Sequence, residues 1–455
     1  MASGARVFSP RVPAPRASAR AAPRPRLASS APGRAPARCE RDRLPAFRDR
    51  VPRRRPAPRR AVDESYDMGS YDPEMDGFVP PEISLRSLKI GDKIGEGAFS
   101  EVYRGVVEGA DGMPSERVVA KAYKKNVRGR DWFSFYADER ATCRRLKEAG
   151  CVGVAPFLGV CGSDAYLVWR DVGVETLESC VARARSAEEA FDAIGDVFFS
   201  DADSKPTSAK KQTNSGGNKT KQRALVFLRL ARSLLTATAS MHANEVVHRD
   251  VKPENVLVSR ETRGVLLVDL GGAADLAANV NCDPSETIFD PTYGAPEQVV
   301  RDKDDKKKSG LLGGLAGALA KRAPFGADDP SRALAAGATA SGIAPCPRLD
   351  AFAIGLTLLR VATPALYPVD AMARARCAMD AAEDRLKGPT EETDDVRNES
   401  VLDAWASGPG SESCDFALID AAEAWSLIEG LATWDPERRL TVREALDHPC
   451  FKALE

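Results

Sequence analysis

The sequence is poor in the residues that build zinc sites and disulfide frameworks. It has three histidines and ten cysteines in 455 residues, and no two cysteines form a Cys-x-x-Cys pair. Zinc sites need clustered thiolate and imidazole ligands, so the sequence predicts none. Scattered cysteines in a chain of this length are expected to be reduced thiols that serve as small core residues.

Long apolar runs are also missing. No uninterrupted apolar stretch approaches the roughly 20 residues that cross a bilayer, so we expect no transmembrane segment.

The net charge of -1 hides an uneven distribution of charged residues along the chain. Residues 1–38 contain eight arginines and no acidic residue, whereas residues 62–76 are rich in Asp and Glu. The placement of charge is therefore more informative about partners than its total.

The N-terminal segment, residues 1–61, is rich in Arg, Ala, Pro and Ser and has almost no periodic apolar pattern. Such a composition cannot bury enough surface to offset chain entropy, so it is expected to be disordered. It also fits an organelle transit peptide, and it lacks the apolar region of a secretory signal. The alternative is a basic tail that touches nucleic acid or an anionic membrane. An acidic linker, residues 62–82, is expected to follow.

A folded domain is predicted from residue 83 to residue 455, with an α+β plan. Glycine-interrupted β-branched and aromatic residues predict strands near its start, and helical spacing dominates later. The expected strands lie within 85–107, at 118–123 and at 265–268, and the expected helices lie at 130–149, 224–243, 349–362, 421–433 and 442–445. Two polar or Gly/Ala-rich stretches, 201–221 and 301–348, are expected to be inserts.

A glycine-rich turn is predicted between the first two strands. Gly95 and Gly97 precede Ser100 and Val102 in the stretch GEGAFSEV. Glycines let backbone N–H groups approach a phosphate closely because no side chain intervenes. Alone this signal is weak, since a Gly-x-Gly is often only a tight turn.

Further motifs follow in a fixed order, and together they resemble the eukaryotic-type protein kinases. Lys121 lies on the next strand and Glu139 on the following helix, and the stretch HRDVKPEN begins at His248. Asp-Leu-Gly begins at Asp269, and Ala-Pro-Glu ends at Glu297. The resemblance covers about residues 83–454 and implies a two-lobed fold with ATP in the cleft, an N-lobe at about 83–170 and a C-lobe at about 171–455.

The resemblance implies a role for each motif residue in phosphoryl transfer from ATP. Lys121 would pair with the phosphates and be held by Glu139. Asp250 would accept the proton of the substrate hydroxyl, and Lys252 would reach the transferring phosphate. The lysine at this position is typical of serine/threonine kinases.

Two further sets of residues complete the expected site. Asn255 and Asp269 carry hard oxygen ligands suited to Mg²⁺. The adenine is expected to lie between Val102, Ala120 and Leu257. The remaining nucleotide contacts would come from the glycine-rich turn and from Lys121.

Other family positions imply structural roles. Asp350 resembles the residue that anchors the catalytic loop, and Glu297 the residue that pairs with a late arginine, here Arg439. Trp169 falls where the family closes the pocket behind the adenine, although a buried strand aromatic is an equally simple interpretation. Asp290 stands where a substrate-loop threonine is usual.

The C-lobe motifs are similar to those of the plant and algal chloroplast state-transition kinases. The stretches VDLGGAADL and FDPTYGAPEQ carry this resemblance. It implies a chloroplast location and protein substrates among thylakoid light-harvesting or photosystem proteins. With no transmembrane segment expected, the enzyme would be stromal or peripherally bound to thylakoids. The alternative location is the cytoplasm, and no nucleic-acid partner is expected.

Two regulatory questions stay open at this level. Arg249 precedes Asp250. Such an arginine often needs a phosphate to neutralise its charge, supplied by the activation segment, here residues 269–297. Ser285, Thr287 and Thr292 are available acceptors, but the acidic residues among them could supply the charge without modification. Residues 310–322 are apolar with basic residues at one end; a low-complexity insert is favoured over an interfacial helix, because glycines weaken helices.

Two alternatives to an active protein kinase remain. A pseudokinase would act as a regulatory scaffold, but it would normally have lost one of the catalytic residues, and all are present here. A nucleic-acid-associated kinase would use the basic N-terminal segment as an arm, in which case binding should depend on salt.

Overall fold

The computed structural model describes most of the chain after residue 81. The described ranges are 82–83, 87–97, 99–109, 114–124, 132–161, 166–184, 186–198, 216–283, 289–301, 338–340, 343–367, 370–386 and 400–455. The expected N-terminal segment, nearly all of the acidic linker, most of both inserts and residues 310–322 therefore lie outside the described residues.

A six-stranded sheet forms the first lobe. Its strands are β1 Glu82–Ile83, β2 Leu88–Glu96, β3 Ser100–Val107, β4 Glu116–Tyr123, β5 Phe157–Cys161 and β6 Tyr166–Arg170. The order across the sheet is β1-β5-β6-β4-β3-β2, and every neighbouring pair is antiparallel except β1 with β5. The strands are rich in β-branched and aromatic residues, which suit a pleated and half-buried surface.

One long helix, α1 (Trp132–Glu148), packs against this sheet. It ends where Gly150 adopts a left-handed backbone with φ of 65°, a conformation that glycine adopts without a Cβ penalty. The amide of Cys151 then bonds back to the carbonyl of Leu146 at 2.9 Å, which satisfies one carbonyl of the last turn. This cap fixes the end of α1 beside the second lobe.

Helices dominate the second lobe. They are α2 Leu177–Arg183, α3 Ala187–Phe198, α4 Gly216–Ala243, α5 Pro347–Ala362, α6 Ala371–Leu386, α7 Val401–Ala406, α8 Ala417–Ala421, α9 Trp425–Leu431 and α10 Val442–Leu446. Three short antiparallel strand pairs lie among them: β7 Val246–Val247 with β10 Ala274–Asp275, β8 Val256–Ser259 with β9 Gly264–Leu267, and β11 Val299–Arg301 with β12 Ala338–Ala340.

The core of this lobe surrounds α4 and α5. Every residue of α5 from Leu349 to Ala362 is buried, and the ring of Phe352 meets Trp434 edge-on at 5.1 Å between centroids. One described helical stretch, Lys219–Ala243 within α4, is long and apolar enough to cross a membrane, but 61% of its most apolar window is buried inside the protein. A core helix of a globular protein has these same properties.

The predicted α+β plan is confirmed, and most elements begin and end within a few residues of their expected positions. There are two differences, and the second has a clear physical cause. The helix expected from residue 224 already begins at Gly216, inside the stretch predicted as a polar loop. The helix expected at 421–433 is divided into α8 and α9, because Glu423 has a positive φ of 52° that ends one helix before the next begins.

Candidate active site

A cavity of about 520 Å³ lies between the sheet and the first loops of the helical lobe. Its lining comes from two sides. Strands β2, β3 and β4 supply residues that include Gly95, Gly97, Ser100, Val102 and Lys121, and the helical lobe supplies residues that include Lys252, Asn255, Leu257 and Asp269. The structure therefore brings almost all of the predicted site residues to one cavity.

The glycine-rich turn forms the lid of this cavity. The amide of Gly97 donates to the carbonyl of Ser100 at 2.8 Å, which closes the hairpin between β2 and β3. Phe99 at its tip stacks on Phe135 of α1, with ring centroids 5.2 Å apart. Backbone groups near Gly95 and Gly97 thus face a space that a phosphate chain can enter.

The position of Ala120 on strand β4 differs from the one expected for an adenine contact. Ala120 is fully buried and does not line the cavity, whereas its neighbours Val119 and Lys121 do. Side chains alternate between the two faces of a strand, so the residue that shares a face with Lys121 is Val119. Val102, Val119 and Leu257 therefore line the cavity, and the expected contact at Ala120 does not.

Lys121 joins the two lobes at the back of the cavity. Its Nζ lies 2.7 Å from Oε2 of Glu139 on α1 and 2.6 Å from Oδ1 of Asp269. The Lys121 side chain is almost fully buried. Burial alone would lower its pKa, but the charges of Asp269 and Glu139 outweigh that effect and raise the pKa well above its usual value. The ammonium is therefore held in its charged form at physiological pH.

Asp269 is held in an uncommon backbone conformation. Its φ of 63° and ψ of 72° lie in the left-handed region, which costs energy for a residue other than glycine. The charge of Lys121, aided by its hydrogen bond, lowers the pKa of Asp269 to about 2. Gly271 follows in a tight place, because an added Cβ would lie 3.1 Å from the hydroxyl of Tyr123. An ionised carboxylate is thus fixed at the inner end of the cavity.

The catalytic loop, residues 248–255, places Asp250, Lys252 and Asn255 together. The amide nitrogen of Asn255 donates to both the backbone carbonyl and Oδ2 of Asp250, each at 2.8 Å. Nζ of Lys252 lies 3.0 Å from Oδ1 of Asp250. Burial raises the pKa of Asp250, although the charge of Lys252 opposes that effect. A carboxylate with raised proton affinity is suited to accepting a proton.

Asp350 anchors this loop, as predicted. Its Oδ1 accepts from the amide of Arg249 at 2.7 Å, and its Oδ2 accepts from the amide of His248 at 2.8 Å. Nε2 of His242 also lies 2.8 Å from Oδ2. Burial alone would raise the pKa of Asp350, but these hydrogen bonds hold it below its usual value. One buried carboxylate therefore fixes the backbone of this loop through hydrogen bonds.

The predicted pair of Glu297 and Arg439 is also present. Two parallel hydrogen bonds of 2.6 and 2.8 Å join the guanidinium to the carboxylate. Arg439 is 1% exposed, and its guanidinium lies 5.0 Å from the ring centroid of Phe352. This pair ties the end of the activation segment to the core of the helical lobe.

Trp169 lines the cavity at its rear wall. It pairs with Val119 across the sheet, and its ring lies 5.5 Å from that of Phe157. The position closes the space behind the proposed adenine contact, and Trp169 is at the same time a strand aromatic packed on the core.

The donor set fits a magnesium ion carried by a nucleotide. The amide nitrogen of Asn255 is engaged with Asp250, which leaves its oxygen as the atom suited to a metal. With the ionised Asp269, this gives the oxygen ligands that Mg²⁺ prefers. Within the described ranges, no group of three or more His, Cys, Asp or Glu side chains could hold a metal alone. Phosphate oxygens would therefore have to complete the coordination.

The activation segment is only partly described. Ser285 and Thr287 lie outside the described residues, whereas the amide of Thr292 donates to Oδ1 of Asp290 at 2.9 Å. Nε of Arg249 donates to the carbonyl of Gly272 at 2.6 Å. Burial lowers the pKa of Arg249 to about 10.

Three residues with a place in the site were missed from the sequence or given no role there. Val119 could have been found from strand alternation. Tyr123 donates a hydrogen bond to Oε2 of Glu139, and Asp290 lies against Lys252. The last two contacts join segments far apart in the chain, so no local pattern indicates them.

Comparison with known proteins gives a consistent result. A family model described as protein kinase domain matches residues 207–329, which contain the catalytic loop and Asp269 but not the glycine-rich turn. The chain is 25% identical over 382 residues to serine/threonine-protein kinase STN7, chloroplastic, of Arabidopsis thaliana, covering 82% of this chain and 58% of that protein. The chain thus spans less than two thirds of the length of STN7.

A second relative and one solved structure extend the comparison. The chain is 26% identical over 415 residues to serine/threonine-protein kinase STN8, chloroplastic, of the same plant, covering 83% of this chain and 72% of that protein. The crystal structure of an Stt7 homolog from Micromonas algae, soaked with ATP, has the same fold, with a TM-score of 0.53 and 20% identity over 80% of this chain and 92% of that chain.

Proposed function

We propose that this chain is a protein kinase that transfers the γ-phosphoryl group of Mg-ATP to serine or threonine hydroxyls of proteins. One observation supports this proposal more strongly than the others. Lys121, Glu139 and Asp269 form a connected set at the back of the cavity, and Asp250 lies in the adjoining catalytic loop with Asn255 and Lys252. These are the groups that phosphoryl transfer needs.

The nucleotide would enter beneath the glycine-rich turn. Val102, Val119 and Leu257 would contact the adenine, and the Lys121 ammonium would neutralise phosphate charge. Asn255 and Asp269 would hold Mg²⁺, which would supply positive charge to offset the negative charge of the phosphates. The resting contact between Lys121 and Asp269 then has to loosen as the phosphates arrive.

The transfer step is a substitution at phosphorus. The substrate hydroxyl oxygen forms a bond to the γ-phosphorus while the bond from that phosphorus to the β–γ bridging oxygen breaks, and ADP leaves. The hydroxyl proton passes to the carboxylate of Asp250. Lys252 sits beside Asp250 and would stabilise the negative charge on the moving phosphoryl group.

We further propose that the enzyme acts in the chloroplast on thylakoid proteins. Two relatives are named as chloroplastic serine/threonine-protein kinases and cover 82% and 83% of this chain. The arginine-rich, acid-free segment 1–38 fits import into that organelle. The enzyme would work from the stroma or at the thylakoid surface, on light-harvesting or photosystem proteins.

The alternative of a catalytically inactive scaffold is less well supported. Pseudokinases normally lack one of the charged groups of the site. Here Lys121, Glu139, Asp250, Asn255 and Asp269 are all present and connected by hydrogen bonds or ion pairs.

The proposal is tested by incubating the full chain with radiolabelled ATP and MgCl₂. A generic basic protein and washed thylakoid membranes serve as acceptors, and phosphoamino acids are identified after hydrolysis. Label on serine or threonine supports the proposal, and labelled thylakoid bands identify the substrates. Nucleotide binding without any transfer would support the scaffold instead.

A further inference from the structure

Asp290 contacts the catalytic loop from the activation segment. Its Oδ2 lies 3.4 Å from Nζ of Lys252, and the same Nζ lies 3.0 Å from Oδ1 of Asp250. One ammonium is therefore placed between two carboxylates from segments that are distant in sequence. The side chains of all three residues are 20–30% exposed, so they lie at the mouth of the site.

The position of Asp290 is fixed by a tight turn. Its Oδ1 accepts from the amide of Thr292 at 2.9 Å, and its carbonyl accepts from the amide of Gly294 at 2.7 Å. An added Cβ at Gly294 would lie 2.7 Å from the ring of Phe289, so the turn requires glycine there. The turn is held to the helical lobe by Arg376, which donates to the carbonyl of Gly294 at 2.8 Å. The Asp290 carboxylate is thus preorganised.

The charges around this contact do not cancel. Lys252 supplies one positive charge, and Asp250 and Asp290 supply two negative ones. Burial opposes the charge on Lys252, but the carboxylates of Asp250 and Asp290 raise its pKa above the usual value. The other carboxylate that acts on Lys252 is Glu254.

We propose that Asp290 is a positioning residue for phosphoryl transfer, which holds the Lys252 ammonium beside Asp250 and places a second negative charge next to the group that takes up the substrate proton. The idea rests on the proposed function for its catalytic consequence, but the contact itself can be tested without activity. A neutral hydroxyl side chain at this position could hydrogen-bond to Lys252, yet it would not supply the charge.

The first experiment measures the reactivity of Lys252 in the full chain. Acetylation by N-hydroxysuccinimide acetate at pH 8 is followed by mass spectrometry, with Lys121 as the internal reference. In Asp290→Asn the loss of one carboxylate lowers the pKa of Lys252, so its acetylation relative to Lys121 should rise about threefold to tenfold. Asp290→Glu should stay within about twofold of wild type. An unchanged ratio in Asp290→Asn would overturn the proposal.

The second experiment measures the steady-state kinetics of transfer at neutral pH. Asp290→Asn should lower kcat roughly 5- to 50-fold and leave the KM for ATP within about twofold, because Asp290 does not line the nucleotide cavity. Glu437→Gln, which removes an exposed charge from the helical lobe, should leave kcat and the KM for ATP unchanged.

The outcomes separate the two proposals. A wild-type chain that transfers no phosphate, but whose Lys252 responds to Asp290→Asn, would contradict the proposed function and keep the contact. An active wild type whose kcat is the same in Asp290→Asn would leave the function standing and refute the role of Asp290.

Discussion

The hydroxyl of Tyr123 donates a hydrogen bond to Oε2 of Glu139, the same carboxylate oxygen that receives Nζ of Lys121. Lys121 and Tyr123 project from the same face of β4, and Glu139 comes from α1. The three side chains are each less than 10% exposed. The ion pair that links the sheet to α1 therefore has a second, neutral donor, which helps to satisfy a buried carboxylate.

Tyr123→Phe should weaken the position of α1 without removing a charge. The loss of a hydrogen bond to a buried carboxylate costs about 1.5–3 kcal/mol. We expect the free energy of unfolding, measured with urea, to fall by about that amount, and the KM for ATP to rise several-fold because Lys121 is held less firmly.

Tyr103→Phe is the matched control. The hydroxyl of Tyr103 also donates to a glutamate, Glu101, at 2.7 Å, but both of these residues are only half-buried. Its removal should cost less than about 0.5 kcal/mol. Equal effects of the two substitutions on stability and on the KM for ATP would contradict the role assigned to Tyr123.

Glu297→Ala tests the bidentate pair with Arg439. The substitution leaves a guanidinium buried without its carboxylate partner, which costs about 3–5 kcal/mol. Urea unfolding followed by tryptophan fluorescence should show a loss of this size. The control is Glu437→Ala, at an exposed position in the same part of the chain, with an expected change within about 0.5 kcal/mol. A loss below about 1 kcal/mol for Glu297→Ala would show that the pair contributes little.

Asp350→Asn tests the anchor of the catalytic loop. The amide presents a donor where the carboxylate accepted hydrogen bonds from the backbone of His248 and Arg249. We expect a loss of about 3–5 kcal/mol in stability and a lower kcat in the folded fraction. Asp370→Asn removes one partner of an exposed ion pair with Arg374 and should change stability by less than about 1 kcal/mol. Wild-type stability in Asp350→Asn would contradict the account.

Trp169→Ala should enlarge the cavity behind Val119. The wild-type cavity is closed there by the indole, so an ATP analogue with a benzyl group on the adenine N6 should be a poor substrate. In the variant, kcat/KM for the analogue relative to ATP should rise at least about tenfold, since filling an apolar cavity yields about 1–3 kcal/mol. Trp169→Phe should have an intermediate effect. An unchanged ratio in Trp169→Ala would place the indole outside the adenine pocket.

The sequence predicted the elements of the site better than its internal contacts. Lys121, Asp250 and Asp269 belong to short motifs in a fixed order, so their proximity follows once the fold is recognised. The anchor role of Asp350 and the pair of Glu297 with Arg439 were predicted in the same way and are confirmed. These are contacts that the family resemblance specifies.

The errors have local causes. Ala120 was placed against the adenine by its position next to Lys121, although strand alternation puts Val119 on that face. The break between α8 and α9 depends on the left-handed backbone of Glu423, a residue with no strong preference for that conformation. Helical spacing alone could not indicate it.

The contacts of Tyr123 and Asp290 could not be predicted for a different reason. Each joins two segments whose relative position is set by tertiary packing: α1 against β4, and the activation segment against the catalytic loop. Tyr123 belongs to none of the motifs, and the motif that contains Asp290 does not specify a contact with Lys252. Such contacts become visible only with coordinates, and they are where this chain can differ from its relatives.

The most direct test of the central claim compares wild type with Asp250→Asn in the full chain. Both should bind Mg-ATP with dissociation constants within about threefold of each other, measured by calorimetry, because Asp250 lies outside the nucleotide cavity. The rate of phosphoryl transfer to a basic protein should fall roughly 10²- to 10⁴-fold in the variant. Equal transfer by both proteins, or ATP binding without transfer by the wild type, would contradict the assignment of this site as a protein kinase centre.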